Sequence, residues 1–313
     1  MNEYATKYGL LKGISHPVYH EDGSLSRCGL LEQITLHTPI GPLVPLYDFY
    51  GRRSKSDSVS FYADGSLKSI CFHSQKLIHT SVGEVPAEKA IFYPSGKIKR
   101  LFPLDGAVTG FWTEQDESAL MSPIKINIDK ISLNVKLIGL CFYESGSLKS
   151  LTLWPGEIKE IFMLWGNMTI RCGISFYEDG SIKSIEPAYP TPMSTPVGKI
   201  AAYDNNPLGV NGDLNSLKLF PDGQLESITT DMNLIEVYKE EKLVNIASPK
   251  LIRSFSDPRK KELSPLTLNF GKESQSVSID DKEYIIPDFD FKIKSYIPPA
   301  GLCSDCSSCN ACG

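Results

Sequence analysis

The feature that most constrains this chain is a ten-residue phrase that recurs six times with small changes. Residues 61–70 read FYADGSLKSI, and every copy places aromatic or branched residues before an Asp-Gly or Ser-Gly pair and a Leu or Ile after it. The copies of this aromatic phrase occupy residues 18–27, 61–70, 92–101, 142–151, 176–185 and 219–228. Self-similarity on this scale is typical of stacked-repeat proteins.

Each copy of the aromatic phrase predicts a β-hairpin, because Gly supplies positive φ and the preceding Asp or Ser can hydrogen-bond its own backbone. A two-residue loop would place Tyr62 opposite Leu67, whereas a three-residue loop with a Gly bulge would place Phe61 opposite Leu67. A slip of one residue exchanges the two faces of a strand. The sequence alone leaves both registers open.

A second phrase, Thr-x-[Ile/Val]-Gly, alternates with the first and is called the threonine phrase below. Its copies are residues 38–43, 80–85 and 195–200, with a degenerate copy at 164–169. Each repeat is therefore interpreted as two hairpins, one of each phrase, with insertions of variable length. A single hairpin is marginal in water, so neighbouring hairpins must stack to bury a shared core.

The aromatic phrase resembles the MORN-variant repeat and, almost as closely, the YD repeat of RHS-type shells. The resemblance covers six segments of about ten residues, and it implies an antiparallel hairpin repeat. The spacing here is irregular and longer than in simple MORN arrays, and the Gly-x-Gly ends of classical MORN units are missing. The families' roles in scaffolding, lipid contact, and toxin neutralisation or encapsulation are implied only as general expectations, and no family site residue maps onto this chain.

We therefore expect an all-β fold, an antiparallel β-hairpin repeat array forming either an elongated twisted sheet or a partly wrapped β shell, with a disordered Cys-rich C-terminal tail. The best helix candidate is residues 113–121, which begin with a Thr suited to cap a helix. The expected domains are a hairpin-repeat body at residues 1–228, a β cap continuous with it at 229–296, and a flexible tail at 297–313.

The tail carries the candidate site residues, Cys303, Cys306, Cys309 and Cys312, at strict three-residue spacing. Thiolates at this spacing can converge on one soft metal. An iron–sulfur cluster is one hypothesis, although bacterial ferredoxins place their fourth Cys after three residues and before Pro. A zinc site, thiol exchange or covalent modification of an exposed tail are the others, and the simplest interpretation is an end whose thiols have no chemical role.

Composition and the remaining motifs narrow the function classes. The formal charge of −5, with 32 basic and 37 acidic residues, argues against a nucleic-acid partner. No secretory signal and no apolar run of the ~18–20 residues needed for a membrane span is visible, so we expect a soluble, cytoplasmic protein. The other cysteines are interpreted as reduced core thiols and the five histidines as structural or surface residues. Those cysteines are Cys28, Cys71, Cys141 and Cys172.

The lysines of the aromatic phrase could form a ladder that binds an anionic ligand or a lipid headgroup, or could simply be solvated strand positions. These lysines are Lys68, Lys99, Lys149 and Lys183. No catalytic motif is present, so the leading hypothesis is a repeat scaffold or binding protein with a protein partner and a tetracysteine tail that binds metal or is modified. The alternatives are a redox or metal-handling protein with an iron–sulfur or zinc site in the tail, and an enzyme with a site in a groove of the sheet.

Overall fold

The computed structural model describes residues 3–47, 51–53, 57–106, 112–128, 131–163, 166–207, 215–254, 259, 261–273 and 275–298. The chain is 61% strand and 4% helix, and the named strands pair antiparallel, so the predicted all-β class is confirmed. None of the helices in these ranges is long and apolar enough to cross a membrane.

The described residues form two compact units. The first holds residues up to 167 together with 171–181, and the second holds 168–170, 182–207 and the residues from 215 onward. These limits differ from the expected division into residues 1–228, 229–296 and 297–313, which stays a prediction.

The first unit contains most of the aromatic-phrase hairpins. Its strands are β1 Glu3–Thr6, β2 Gly9–Lys12, β3 Ile14–Tyr19, β4 Leu25–Leu30, β5 Leu36–Thr38, β6 Gly41–Leu43, β7 Val59–Phe61, β8 Leu67–Thr80, β9 Gly83–Phe92, β10 Ile98–Phe102, β11 Ile124–Ile128, β12 Ile131–Val135, β13 Leu137–Phe142, β14 Leu148–Leu153, β15 Lys159–Met163 and β16 Gly166–Phe176, except that residues 168–170 of β16 belong to the second unit. Strands β3, β4, β7, β8, β9, β10, β13, β14 and β16 follow one another in one antiparallel sheet. The pairs β1-β2, β5-β6 and β11-β12 form separate hairpins.

The helical segments of this unit are short. A 3-10 turn covers Gly51–Arg53, and α1 covers Glu114–Leu120. Thr113 caps α1 in a capping box with Asp116, which confirms the helix predicted at residues 113–121.

The second unit repeats the same construction. Its strands are β17 Ile182–Pro187, β18 Thr191–Thr195, β19 Gly198–Ala202, β20 Leu217–Leu219, β21 Leu225–Thr230, β22 Asn233–Lys239, β23 Lys242–Ala247, β24 Lys250–Arg253, β25 Lys261–Ser264, β26 Leu266–Phe270, β27 Ser276–Ile279, β28 Lys282–Ile285 and β29 Asp290–Ser295, with a 3-10 turn at Ile286–Asp288. Strands β17, β20, β21, β26, β27 and β28 are neighbours in one sheet, and β23, β22 and β29 form another. Two further antiparallel hairpins, β22-β23 and β27-β28, lie in the region after the last aromatic phrase.

The register of the aromatic-phrase hairpins, which the sequence left open, is the three-residue loop. Phe61 lies opposite Leu67, the Tyr62 carbonyl accepts from the Gly65 amide, and the Tyr62 amide donates to the Ser66 carbonyl. Gly65 has φ +77°, as a Gly bulge requires. The Asp64 carboxylate accepts from both the amide and the hydroxyl of Ser66, which fixes the loop. The same amide pattern recurs in all six copies, closing on Gly23, Gly65, Gly96, Gly146, Gly180 and Gly223.

This register places the hairpin side chains. Besides the Gly65 bulge, the hairpin has a second bulge at Lys68, which is the extra residue between the pairs Phe61–Leu67 and Ser60–Ser69. Phe61 and Leu67 are 2% and 1% exposed, so both are in the core, while Lys68 remains exposed. The extra residue interrupts the strict alternation of buried and exposed positions along β8, yet Phe61 and Leu67 both stay on the buried face.

A row of tyrosine hydrogen bonds links consecutive aromatic-phrase hairpins. Each Tyr hydroxyl donates to the backbone carbonyl of the Phe that begins the next copy. The bonds are Tyr62 to Phe92 at 2.8 Å, Tyr93 to Phe142 at 2.9 Å and Tyr143 to Phe176 at 2.9 Å. Burial raises the pKa of the Tyr62 and Tyr93 phenols, so both remain protonated donors at neutral pH.

In the first copy this position is taken by His20, not by Tyr19. The Nε2 atom of His20 lies 3.1 Å from the Phe61 carbonyl oxygen, in the place of the tyrosine hydroxyl. When the copies are aligned on Gly23 and Gly65, Tyr19 corresponds to Phe61 and His20 corresponds to Tyr62. Counting the first copy from residue 18, as in the sequence analysis, wrongly pairs Tyr19 with Tyr62. His20 has a structural role, as expected for the histidines.

Candidate functional site

The threonine phrase forms a tight turn with its own hydrogen bonds. The Thr80 hydroxyl donates to the Gly83 carbonyl at 2.7 Å and accepts from the Val82 amide at 3.2 Å. Gly83 has φ +120°, a conformation that side chains with a Cβ rarely adopt. The turns at Thr38–Gly41 and Thr195–Gly198 have the same two bonds.

A further threonine turn at Thr6–Gly9 was missed in the sequence, because its third residue is Tyr8 where the other copies have Ile or Val. Its bonds are the same, with the Thr6 hydroxyl donating to the Gly9 carbonyl at 2.7 Å and accepting from the Tyr8 amide at 3.1 Å. The signal that could have found it is the Thr-x-x-Gly spacing, since the hydrogen bonds need only the hydroxyl and the Gly.

Each threonine turn of the first unit lies on an aromatic-phrase turn further along the chain. A Cβ built on Gly65 would lie 3.7 Å from Cε of Lys7, and one built on Gly96 would lie 2.9 Å from Cγ of Pro39. In the next repeat the Ser81 hydroxyl donates to the Gly146 carbonyl at 2.8 Å. Lys7, Pro39 and Ser81 occupy the same position in successive threonine turns. Each of them contacts the Gly of a successive aromatic-phrase turn, so the same turn-on-turn contact, called the seating below, is repeated once per repeat.

A cavity of about 600 Å³ opens between two of these seated pairs. It is called the turn cavity, and its residues come from two threonine turns and two aromatic-phrase turns of the first unit. The lining residues are Pro39, Ile40, His79, Thr80, Ser81, Ser95, Gly96, Lys97, Ile98, Phe142, Ser145, Gly146 and Ser147. The volume is within the range of small-molecule and peptide-side-chain pockets.

The turn cavity lies where a tyrosine is found in the preceding repeat. The Tyr8 hydroxyl accepts a hydrogen bond from the Leu67 amide at 3.0 Å. One repeat later the counterpart of Tyr8 is Ile40 and the counterpart of Leu67 is Ile98, and both line the cavity. Isoleucine has no hydroxyl and is shorter than tyrosine, so Ile40 leaves this position unfilled.

Exposure of the equivalent residues in the two preceding repeats agrees with this comparison. Leu67, below Tyr8, is 1% exposed, and Leu25, whose amide donates to the Tyr4 hydroxyl at 3.2 Å, is 2% exposed. Ile98 is only half-buried. Within the described ranges, no side-chain oxygen accepts a hydrogen bond from the Ile98 amide. The turn cavity thus has an apolar lining at the position where the preceding repeat brings a tyrosine hydroxyl to a backbone amide.

The lysine ladder has a local partner in three repeats. The ammonium groups of Lys68, Lys99 and Lys149 lie 5.7, 5.4 and 5.6 Å from the ring centroids of the tyrosines in their own hairpins. These tyrosines are Tyr62, Tyr93 and Tyr143. Cation–π contacts at exposed positions contribute about 0.5–1 kcal/mol each. These lysines therefore cover the tyrosine row.

A second polar cluster, buried in the first unit, was also missed in the sequence. Arg52 donates to the carboxylates of Glu88 and Glu117, whose side chains are 8% and 7% exposed. Glu117 also accepts from the Gly106 amide at 2.9 Å and from the Trp112 indole at 2.6 Å. Helix α1 delivers Glu117 to this position, and no local sequence pattern could show the pairing because Arg52 and Glu117 are 65 residues apart.

The cluster continues through a second arginine. Arg53 donates to the Phe72 carbonyl at 2.7 Å and lies 3.7 Å from Asp105, which pairs with Lys89 at 3.0 Å. Three cations and three carboxylates therefore balance. Buried charges are tolerated when they are paired in this way, so the cluster fastens the 3-10 turn and α1 to the sheet.

The cysteines divide into two groups. Cys303, Cys306, Cys309 and Cys312 lie outside the described residues, so the predicted metal site stays a prediction. Over the described ranges, no group of three or more His, Cys, Asp or Glu side chains is arranged to hold a metal ion. Cys28, Cys71, Cys141 and Cys172 form no disulfide bond within the described residues, as expected, although only the first two are fully buried.

Burial makes the core thiols unreactive. It raises the pKa of Cys28 and of Cys71 to about 12, with the carboxylates of Asp57 and Asp105 adding to the effect. Both thiols are therefore protonated at neutral pH, and the thiolate is the reactive species. Cys141 is only half-buried, and its sulfur accepts a hydrogen bond from Nε of Arg100 at 2.9 Å.

No family model matches the chain, and no curated protein is significantly similar to it in sequence.

Proposed function

We propose that this chain is a repeat scaffold or binding protein, in which the hairpin body supplies a preformed ligand site at the turn cavity. The observation that carries the proposal is the cavity itself, because its walls come from turns that are closed by their own hydrogen bonds. A preformed site loses little conformational entropy when a ligand binds. A protein partner and a cytoplasmic location are parts of the same proposal, as is kinship with the MORN-variant or YD repeats.

The second part of the proposal concerns the tetracysteine tail, Cys303, Cys306, Cys309 and Cys312. We propose that these cysteines bind a soft metal or are covalently modified, with the body as their platform. Their three-residue spacing supports this, since a two-residue loop between ligands is the usual way in which thiolates converge on one metal. The competing function is a redox or metal-handling protein in which an iron–sulfur or zinc site in the tail is the active element.

Two experiments test the two parts separately. For the body, titration of the isotope-labelled protein with a library of small aromatic and aliphatic compounds should shift amide resonances of the turn cavity. Ile40→Trp, which fills the cavity, should abolish those shifts, whereas Leu77→Trp at an exposed strand position should leave them. Binding that is absent or unaffected by Ile40→Trp contradicts a ligand site here.

For the tail, metal analysis and an absorption spectrum on anaerobically purified protein should be compared with a chain ending at Ala300. Stoichiometric zinc that disappears with the tail supports the proposed metal site. Iron with sulfide in the full chain alone favours the redox function. Four freely alkylated thiols without metal contradict the metal hypothesis and leave covalent modification of the tail. Intact-mass measurement of protein from the native host would then have to detect that modification.

A further inference from the structure

The turn cavity is shaped for a particular chemical group. Resting on the proposed binding function, we propose that the turn cavity takes a tyrosine side chain presented by a partner peptide, whose phenol oxygen accepts a hydrogen bond from the Ile98 amide. The proposed occupant is the group that the protein already uses at the equivalent position one repeat earlier.

The equivalence rests on matched contacts. Tyr8 belongs to the threonine turn whose Lys7 side chain lies on Gly65, and its hydroxyl accepts from the Leu67 amide at 3.0 Å. Ile40 belongs to the next threonine turn, whose Pro39 lies on Gly96. Ile98 follows Gly96 by two positions, as Leu67 follows Gly65. The Ile98 amide therefore occupies the position of the Leu67 amide, which donates to the Tyr8 hydroxyl in the preceding repeat.

The chemistry of the walls selects a phenol over other groups. Ile40, Ile98 and Phe142 give the cavity an apolar lining, which favours an aromatic ring. By equivalence with the Leu67 amide, the Ile98 amide supplies one donor, so an occupant needs an acceptor at the far end of that ring. Phenylalanine has the ring without the acceptor, and serine or threonine has the acceptor without the ring. Tyrosine has both.

A peptide is favoured as the source of the phenol by the space around the ring. The cavity of about 600 Å³ is larger than a ring alone, which leaves room for the backbone that carries it. Its rim includes the exposed side chains of Ser81, Ser95 and Lys97, which can hydrogen-bond to a peptide backbone. Tyrosine also adds contact area with few rotatable bonds, so it loses little entropy on binding.

The test compares N-acetyl-tyrosinamide with N-acetyl-phenylalaninamide, two probes that differ by one hydroxyl, in titrations of the full chain followed by amide resonances. The tyrosine probe should shift the Ile98 amide and bind roughly 3- to 10-fold more tightly, as one neutral hydrogen bond allows. Equal affinity for the two probes, or no shift at Ile98, overturns the proposal. Free phenol should bind more weakly than the tyrosine probe, and equal binding would overturn the peptide source.

Ile40→Tyr provides a second, independent measurement. The new side chain should take the place that Tyr8 takes one repeat earlier, shift the Ile98 amide in the same direction as the probe, and abolish probe binding. Leu77→Tyr, at a strand position that is 60% exposed and outside the cavity, is the matched control and should bind the probe normally. If aliphatic or other aromatic compounds bind the cavity while the tyrosine probe does not, this inference fails and the proposed binding function stands. If nothing binds, both fail.

Discussion

Substitution of Gly96 tests the seating of a threonine turn on an aromatic-phrase turn, on which the turn cavity depends. Gly96 has φ +83°, and a Cβ at this position would lie 2.9 Å from Cγ of Pro39. Gly23 has nearly the same backbone, φ +82°, but a Cβ there would meet no atom within 4 Å. The two glycines therefore separate backbone strain from contact.

The expected magnitudes follow from these geometries. Alanine in the left-handed region costs about 1–2 kcal/mol, and this applies equally to Gly23→Ala and Gly96→Ala. Only Gly96→Ala also forces its Cβ against Pro39, and overpacking of this kind adds about 1–3 kcal/mol. Gly96→Ala should thus lower the free energy of unfolding by about 2–5 kcal/mol, well beyond Gly23→Ala.

Urea unfolding followed by fluorescence and circular dichroism measures both variants against the parent protein. Pro39→Gly combined with Gly96→Ala should recover the excess, because it removes the atoms that the new Cβ meets, and the double-mutant cycle isolates this term. Equal unfolding midpoints for Gly23→Ala and Gly96→Ala, or a cycle with no coupling between positions 39 and 96, would refute the seating.

Three further perturbations probe other parts of the first unit. Tyr93→Phe removes the hydroxyl that reaches the next hairpin and should cost about 1–2 kcal/mol in urea unfolding, since the buried carbonyl it serves is left unpaired. Arg52→Ala leaves the buried carboxylates of Glu88 and Glu117 without their shared cation and should destabilise by about 3–5 kcal/mol, or prevent folding. Hydrogen bonds from the side chain and amide of the following Ser hold the pKa of Asp64 below its ordinary value, so its contribution is present above the unfolded pKa and is lost as pH falls through the folded pKa. The free energy of unfolding should therefore fall less steeply below about pH 4 in Asp64→Asn than in the parent protein. Between pH 7 and pH 5 the substitution should not change its pH dependence.

The tyrosine and arginine variants have matched controls, and the aspartate variant has a second, independent test. Tyr47→Phe removes a hydroxyl with only a 3.4 Å exposed contact and should change stability by less than about 0.5 kcal/mol. Lys12→Ala breaks an exposed pair with Glu3 at 3.8 Å and should be close to neutral. Ser66→Ala, which removes the hydroxyl donor to Asp64, should weaken the acid-side slope in the same direction as Asp64→Asn. If the tyrosine or arginine variant loses no more free energy of unfolding than its control, the corresponding contact is contradicted. An unchanged pH dependence of stability in the Asp64 and Ser66 variants contradicts the Asp64 contact.

The sequence by itself determined the local structure. Asp64-Gly65 and its counterparts predict hairpins because Gly supplies the backbone conformation and Asp supplies the loop hydrogen bonds, and both effects act within a few residues. Recurrence of that phrase also determined the all-β class. Thr113 marked the start of α1 for the same reason, since a capping box involves residues only three positions apart.

Only the tertiary structure decided the register and the site. Both registers of the aromatic phrase satisfy the local pattern, and burial of Phe61 against Leu67 within the stacked sheet selects one of them. The turn cavity depends on which threonine turn lies on which aromatic-phrase turn, so the difference between Tyr8 and Ile40 acquires meaning only through the contacts of Gly65 and Gly96. The Arg52–Glu117 pair joins residues 65 positions apart, and the cost and gain of burying such charges depend on surroundings that no local pattern contains.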